Sequence, residues 1–286
     1  MEHWLAYFMD GNEQVRDVAR AAEELGFTGI ALVDHVALPE SFQSMHPSGE
    51  RQVEPDAMFS DAFITAATMA GVTSTLRFMT YIYLLALRDP FSVAKQVTTL
   101  AMQTDYRFSF GVGSGWNEEE FALLGQDFAT RGRRMDEMIG VMRGLWAEGT
   151  SSFHGEFYDF SRVCQYPMPQ RRIPIWVGGT SPAALRRAAR NDGWLGMMET
   201  TENARRMLET IDRERTILAD HKGAETPFQK IVVPASDDQH RELEDLGFNG
   251  FIAWCWNSLD PRSAPLQAKL DAMDRYAARH IHRRPA

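Results

Sequence analysis

Eight times along this chain a short apolar run gives way to a segment with apolar residues at helical spacing, an alternation that few architectures accommodate. The runs at Trp4–Met9, Gly29–Val33, Leu76–Tyr83, Arg107–Val112, Ile173–Val177, Gly193–Met197, Phe228–Val233 and Phe251–Trp254 predict strands. Between and after them, Gln14–Leu25, Asp56–Ala70, Pro90–Met102, Arg131–Trp146, Pro182–Ala189, Glu202–Ala219, Asp237–Leu246 and Leu266–Ala278 predict helices. Eight strands each followed by a helix fit an α/β fold of the (β/α)8 TIM-barrel type. One domain over residues 1–286 is expected, with loop insertions near 36–55 and 148–172. At 286 residues and 44% hydrophobic the chain can bury one large core, and no low-complexity linker divides it.

An internal echo supports the repeat. Glu24-Leu25-Gly26-Phe27-Thr28-Gly29-Ile30 recurs as Asp245-Leu246-Gly247-Phe248-Asn249-Gly250-Phe251. In both, a helix stops at glycine, a phenylalanine packs the turn, and a second glycine opens a strand. Met135, Met138, Ile139, Met142 and Leu145 fall on one helical face and are expected in the core.

A net charge of −9 without a basic run argues against nucleic acid or an anionic membrane as partner. Two cysteines, Cys164 and Cys255, are too few for a disulfide framework or a zinc ribbon, and they fit a reducing cytosol. Acidic Glu2 stands where a signal peptide wants positive charge, and no stretch approaches the ~20 apolar residues of a membrane span. A cytoplasmic location is therefore expected.

The richest stretch is Phe108–Phe121, FSFGVGSGWNEEEF. A strand buried on both faces runs into Gly111, Gly113 and Gly115 around Ser114. Trp116 follows, and then Asn117 can cap a helix whose first turn is Glu118, Glu119 and Glu120. A dinucleotide-binding G-x-G-x-x-G would need the third glycine one position later, and three glutamates would repel a pyrophosphate there. Barrel chemistry sits where strands end, so Asp34 and His35 after the second strand are candidates. An imidazole can exchange protons near neutrality and an adjacent carboxylate can orient it, but a histidine bonded to a loop carbonyl fits the sequence equally well. A metal-dependent barrel hydrolase would show His-x-His after the first strand and further histidines after strands five and six. Those positions have none, and His3 lies at the wrong end of its strand, so no metal is expected.

The GVGSGWNEEEF stretch, the helix from Arg133 to Trp146, HGEFY at His154–Tyr158 and IPIWVGGTSP at Ile173–Pro182 resemble the bacterial luciferase-like monooxygenase superfamily over nearly the whole chain. The resemblance implies an oxidoreductase that uses coenzyme F420, or alternatively FMN or reduced FMN, on a small-molecule substrate, with homodimers common among relatives. It implies His35 as general acid or base beside the cofactor ring, with Asp34 in support. Thr80, Tyr81 and Ile82 would back the ring, through a non-prolyl cis peptide at Tyr81–Ile82 that members using F420 often have. Gly113 and Ser114 would approach the cofactor, and Val177, Gly178, Gly179 and Thr180 would hold its phosphate ahead of a helix capped by Ser181. Apart from the resemblance, the indole of Trp116 suggests an apolar or aromatic substrate wall, with packing under the loop as the equal alternative.

Departures from the pattern narrow this. Bacterial luciferases carry Cys and Arg where this chain has Gly113 and Ser114, which argues against light-emitting oxygen chemistry. The deazaflavin-dependent sugar-phosphate dehydrogenases have a glutamate where this chain has Trp116, so their substrate does not transfer. A non-catalytic flavin-binding barrel is the remaining alternative, and Asp34-His35 argues against it. The segment Val36–Pro55 is expected to act as a lid.

Overall fold

The computed structural model describes residues 1–8, 12–47, 53–54, 56–222, 227–256, 259–260 and 262–282. Eight parallel strands close into a barrel: β1 (Glu2–Tyr7), β2 (Gly29–Leu32), β3 (Arg77–Thr80), β5 (Phe108–Gly113), β8 (Ile175–Gly178), β9 (Gly193–Leu195), β10 (Gln229–Val232) and β11 (Gly250–Ala253). Each pairs with its neighbours in chain order, β11 returns to β1, and β3 pairs with β5 through Phe78–Phe108 and Met79–Ser109. A short β4 (Tyr83–Leu84) adds to β5, and β6 (Thr150–His154) with β7 (Asp159–Cys164) forms a separate antiparallel hairpin.

Around the barrel lie α1 (Val15–Glu24), α2 (Ala62–Ala70), α3 (Pro90–Gln103), α4 (Glu118–Leu123), α5 (Arg131–Glu148), α6 (Pro182–Ala189), α7 (Thr201–Lys222), α8 (Gln239–Asp245) and α9 (Leu266–Tyr276). A π-helical turn, Ala277–Ile281, extends α9. No helix is long and apolar enough to cross a membrane among the described residues.

Strand alternation sorts the side chains into two cores. Inside the barrel are Trp4, Ala6, Ala31, Met79, Trp176, Leu195, Ile231, Val233 and Ile252, with Trp4 and Trp176 edge to face at 5.8 Å. The interior is filled by side chains, as a barrel of this size requires. Leu5, Tyr7, Ile30, Leu32, Phe78 and Val177 point outward, where they meet the helices, including the buried α5 methionines. The two echoed joints have the same build: Gly26 and Gly247 adopt φ of +79° and +85°, and Phe27 and Phe248 are buried beside them.

Most element ends shift by one to three residues, and two differences are larger. The second helix starts at Ala62 rather than near Asp56, because Asp61 caps it by accepting from the N–H groups of Phe63 and Ile64 at 2.9 Å. The run Leu76–Tyr83 is not one strand: β3 stops at Thr80, and the chain steps across Tyr81–Ile82 before β4.

Candidate active site

The site lies where β1, β2, β3, β5 and β8 end. On β2, Ala31 faces the barrel interior while Ile30 and Leu32 face outward. Continuing that alternation sends Asp34 outward and His35 inward, so two residues adjacent in sequence part company. Asp34 is buried against the outer layer, where its carboxylate accepts from Arg88 at 2.7 Å and from the Leu84 N–H at 2.9 Å. Burial pushes its pKa up, against the pull of Arg88 and the Leu84 amide. Both carboxylate oxygens of Asp34 are thus engaged by Arg88 and the Leu84 N–H, and its interaction with His35 is through charge alone.

The carboxylate that does hold His35 comes from 85 residues away. Glu120 Oε2 lies 2.7 Å from His35 Nδ1, and Oε1 accepts from the N–H groups of Val36 at 2.7 Å and Ala37 at 3.2 Å. Glu120 is fully buried and the His35 side chain is 8% exposed, so the pair is shielded from water and screening. With Nδ1 committed to Glu120, Nε2 is the nitrogen outside that contact. Glu120 was read from sequence only as part of an acidic first turn. Asn117 caps α4 as expected, accepting from the Glu120 N–H at 2.9 Å. That cap aims the third glutamate inward.

Glu119 turns the other way and accepts from the Gln43 and Ser44 N–H groups at 2.6 and 3.2 Å and from the Ser44 hydroxyl. The first half of the expected lid is therefore fastened to the start of α4 at Val36, Ala37, Gln43 and Ser44. Residues 48–52 and 55 of that segment lie outside the described residues.

An arc of rings borders the imidazole. Phe59 lies 4.7 Å and Trp116 5.8 Å from His35. Phe59 also meets Phe8 at 6.0 Å, which stacks on Trp254 at 5.5 Å. Trp116 meets Phe42 at 5.9 Å and His46 at 5.4 Å. Burial, with positive charge on His35 adding to it, lowers the His46 pKa to about 4 and keeps that ring neutral at pH 7. Among the described residues, the rings around the His35–Glu120 pair are aromatic, with His46 among them.

The remaining expected site residues divide by register. The Tyr81–Ile82 peptide is cis, the conformation the resemblance implies. Tyr81 and Ile82 pack on the interior core, and the Tyr81 hydroxyl donates to the Gly196 carbonyl at 2.7 Å while burial pushes its pKa up. A Cβ on Gly113 would lie 1.9 Å from Ile82 Cδ1, and one on Gly178 2.7 Å from Ile82 Cγ2. Those two glycines make room for the Ile82 side chain, which fills the space beside them. Two side chains expected to touch cofactor do not face the mouth. Thr80 is fully buried with its hydroxyl donating to the Gly111 carbonyl at 2.7 Å, and Val177 lies in the outer core. Both sit one residue out of phase with the interior-facing Met79 and Trp176.

Ser114 and Thr180 are partly exposed, and Ser181 caps α6 by accepting from the Ala184 N–H at 3.2 Å. Since Pro182 has no N–H and Ala184 already donates to Ser181, an anion at this helix end would depend on the Ala183 N–H and the backbone before Pro182.

With this geometry in place, comparison decides the family. A model of the luciferase-like monooxygenase family matches residues 9–280. The chain belongs to that family. An uncharacterized protein of Mycobacterium tuberculosis is 34% identical over 268 residues, covering 91% of this chain and 92% of that protein. The FMNH2-dependent dimethylsulfone monooxygenase of Pseudomonas fluorescens is 33% identical over 187 residues, covering 64% of this chain and 47% of the monooxygenase. Among solved structures, an F420-dependent secondary alcohol dehydrogenase in complex with an F420-acetone adduct superposes with a TM-score of 0.75 at 14% identity, over 97% of this chain and 98% of the dehydrogenase. That last likeness establishes the shared barrel.

Proposed function

We propose that this luciferase-like oxidoreductase transfers a hydride between coenzyme F420 and a small organic substrate, with His35 as general acid or base and Glu120 as its positioning partner. The observation that carries the reading is the buried His35–Glu120 contact of 2.7 Å at the mouth. Hydride transfer at a carbon bearing oxygen requires a proton to move on that oxygen, and an imidazole fixed at Nδ1 can serve it from Nε2. Glu120, bonded at Nδ1, fixes the orientation of the ring for this transfer.

The residues at the mouth fit a flavin-type ring: Tyr81 and Ile82 give it an apolar floor, and the aromatic arc excludes water from its face. The deazaflavin supplies the redox chemistry when bound. The chain's part is to orient, to keep the site dry and to move one proton at His35. Gly113 and Ser114, in place of a cysteine–arginine pair, favour F420 over an oxygen-activating reduced flavin. FMN is the second reading, favoured by the sequence likeness to the FMNH2-dependent dimethylsulfone monooxygenase.

The test is quenching of tryptophan fluorescence, titrated separately with F420 and with FMN. Trp116 and Trp254 at the mouth are expected to respond, with F420 binding at micromolar level or tighter and FMN far more weakly. Equal and weak quenching by both would remove the cofactor assignment and leave a barrel without this activity.

A further inference from the structure

A second cluster of ligating side chains lies outside the barrel, between the start of α8 and the π-helical turn that ends the described chain. Asp237 precedes α8, His240 is the second residue of α8, and His280 lies in the turn. Each offers one ligand atom, and the three atoms lie within 4.8 Å of one another. His240 is 8% exposed and the His280 side chain 3% exposed.

The hydrogen bonding of His240 is the telling part. Its Nδ1 lies 3.1 Å from the Asp237 carbonyl oxygen, an acceptor that only a protonated Nδ1 can satisfy. In the neutral ring this leaves a lone pair on Nε2, which is buried and has no hydrogen-bond partner. Buried polar atoms nearly always find a partner. A ring whose Nδ1–H is fixed by a backbone carbonyl while Nε2 holds an unshared lone pair has the arrangement typical of metal-binding histidines.

We propose that Asp237, His240 and His280 form a site for one divalent transition-metal ion of the zinc class. Two imidazoles and one carboxylate suit zinc, cobalt or nickel rather than the all-oxygen shells of magnesium and calcium. Arg279 pairs with Asp237 Oδ2, while Oδ1, 3.3 Å from His280 Nε2, faces the cluster. The two imidazoles stack at 4.3 Å and 19° from parallel. Coordination uses the ring plane, so sharing an ion would require the His280 ring to turn edge-on to it. His3 stands beside the cluster, with Nδ1 3.0 Å from the Tyr276 hydroxyl.

An ion here would clasp the C-terminal turn to α8. The next residues of that turn, Ile281 and His282, approach Gly26 at the end of α1, so the clasp would extend to the first helix. This inference is independent of the chemistry at the mouth.

The test uses the full chain, stripped with a chelator and titrated with zinc chloride by calorimetry, and with cobalt chloride followed by absorption. One equivalent of zinc is expected at micromolar affinity, together with a cobalt spectrum of low coordination number that zinc abolishes and a higher melting temperature in zinc. His240→Gln and His280→Gln are each expected to weaken zinc binding by at least the about 10–100-fold that loss of an outer hydrogen bond alone costs a metal site. His154→Gln, in an exposed His154–Asp159 pair elsewhere, is expected to bind as wild type. Imidazole nitrogen NMR of the wild type covers the case of a variant that fails to fold: His240 and His280 should shift together on zinc addition. Absence of binding, shifts confined to other histidines, or unchanged binding in the two glutamine variants would overturn the site.

Discussion

Two glutamates at opposite ends of the barrel do similar work with different outcomes. Glu23, at the end of α1, spends one oxygen on the loop before β3: its Oε1 accepts from the N–H groups of Ser74, Thr75 and Leu76 at 2.8, 2.6 and 2.9 Å and from the Thr75 hydroxyl at 2.9 Å. Glu120, at the mouth, gives one oxygen to the amides of Val36 and Ala37 and the other to an imidazole. Both carboxylates organise a loop. Only Glu120 is fully buried and also holds an imidazole, and on the proposed reading that difference separates a structural clamp from a pair that moves a proton.

Breaking the Glu120 side of the comparison should have the larger effect. Glu120→Gln keeps an acceptor for the Val36 and Ala37 amides but removes the negative charge beside His35. Turnover is expected to fall toward the lower end of the about 10²–10⁴ that general acid–base catalysis contributes. Steady-state kinetics together with a melting curve check it: a slow enzyme of near wild-type stability is the expected pair of results. Equal losses of stability and rate would make Glu120 a loop clamp like Glu23.

The Glu23 side should show in stability and not in rate. Burial raises the Glu23 pKa, but the Thr75, Leu76 and Ser74 amides and the Thr75 hydroxyl outweigh it and bring the pKa to about 2. A folded-state pKa below the ordinary 4.5 stabilises the fold fully above pH 4.5, and this contribution is lost as pH falls toward 2. Glu23→Ala is therefore expected to cost about 1 kcal/mol at pH 7, a typical net hydrogen-bond contribution at a partly exposed site. Denaturant unfolding at pH 7 and near pH 3 measures it, with a smaller gap from wild type at the lower pH and unchanged turnover.

An effect far below that of Glu120→Gln is expected at Trp116. Its edge contacts with His35, Phe42 and His46 are those of a wall. An aromatic pair contributes about 0.5–1.5 kcal/mol beyond its buried area, so Trp116→Ala should raise KM by up to about tenfold and leave kcat nearly unchanged. A kcat loss as large as that of Glu120→Gln would move Trp116 from the wall into the proton-transfer machinery.

The barrel was legible in the sequence because its strands are apolar runs and its helices carry strong periodicity. Local chemistry was legible too, as with Asn117 and Ser181 at their helix starts. What escaped was register and distance. Asp34-His35 reads as a pair in one dimension, yet strand alternation sends the two side chains to opposite faces. The same one-residue phase removes the Thr80 and Val177 side chains from the mouth. Glu120 was hidden inside a run of three glutamates whose plain reading is a solvated helix start, and its partner lies 85 residues earlier. Asn117 offered one clue. A capped N-terminus fixes the direction of each following side chain, and Phe121 beside Glu120 already marks that face as buried.

The central claim is that His35 moves the proton. Its most direct test is single-turnover reduction or oxidation of bound cofactor across pH in wild type, His35→Ala and His35→Asn. Both variants are expected to lose about 10²–10⁴ in rate and the pH dependence that belongs to the imidazole, while cofactor affinity changes far less. His35→Asn keeps a hydrogen bond without the proton transfer and should be as slow. A His35→Ala enzyme with wild-type rates and an unchanged pH profile would contradict the account and make the His35–Glu120 pair a second structural clamp.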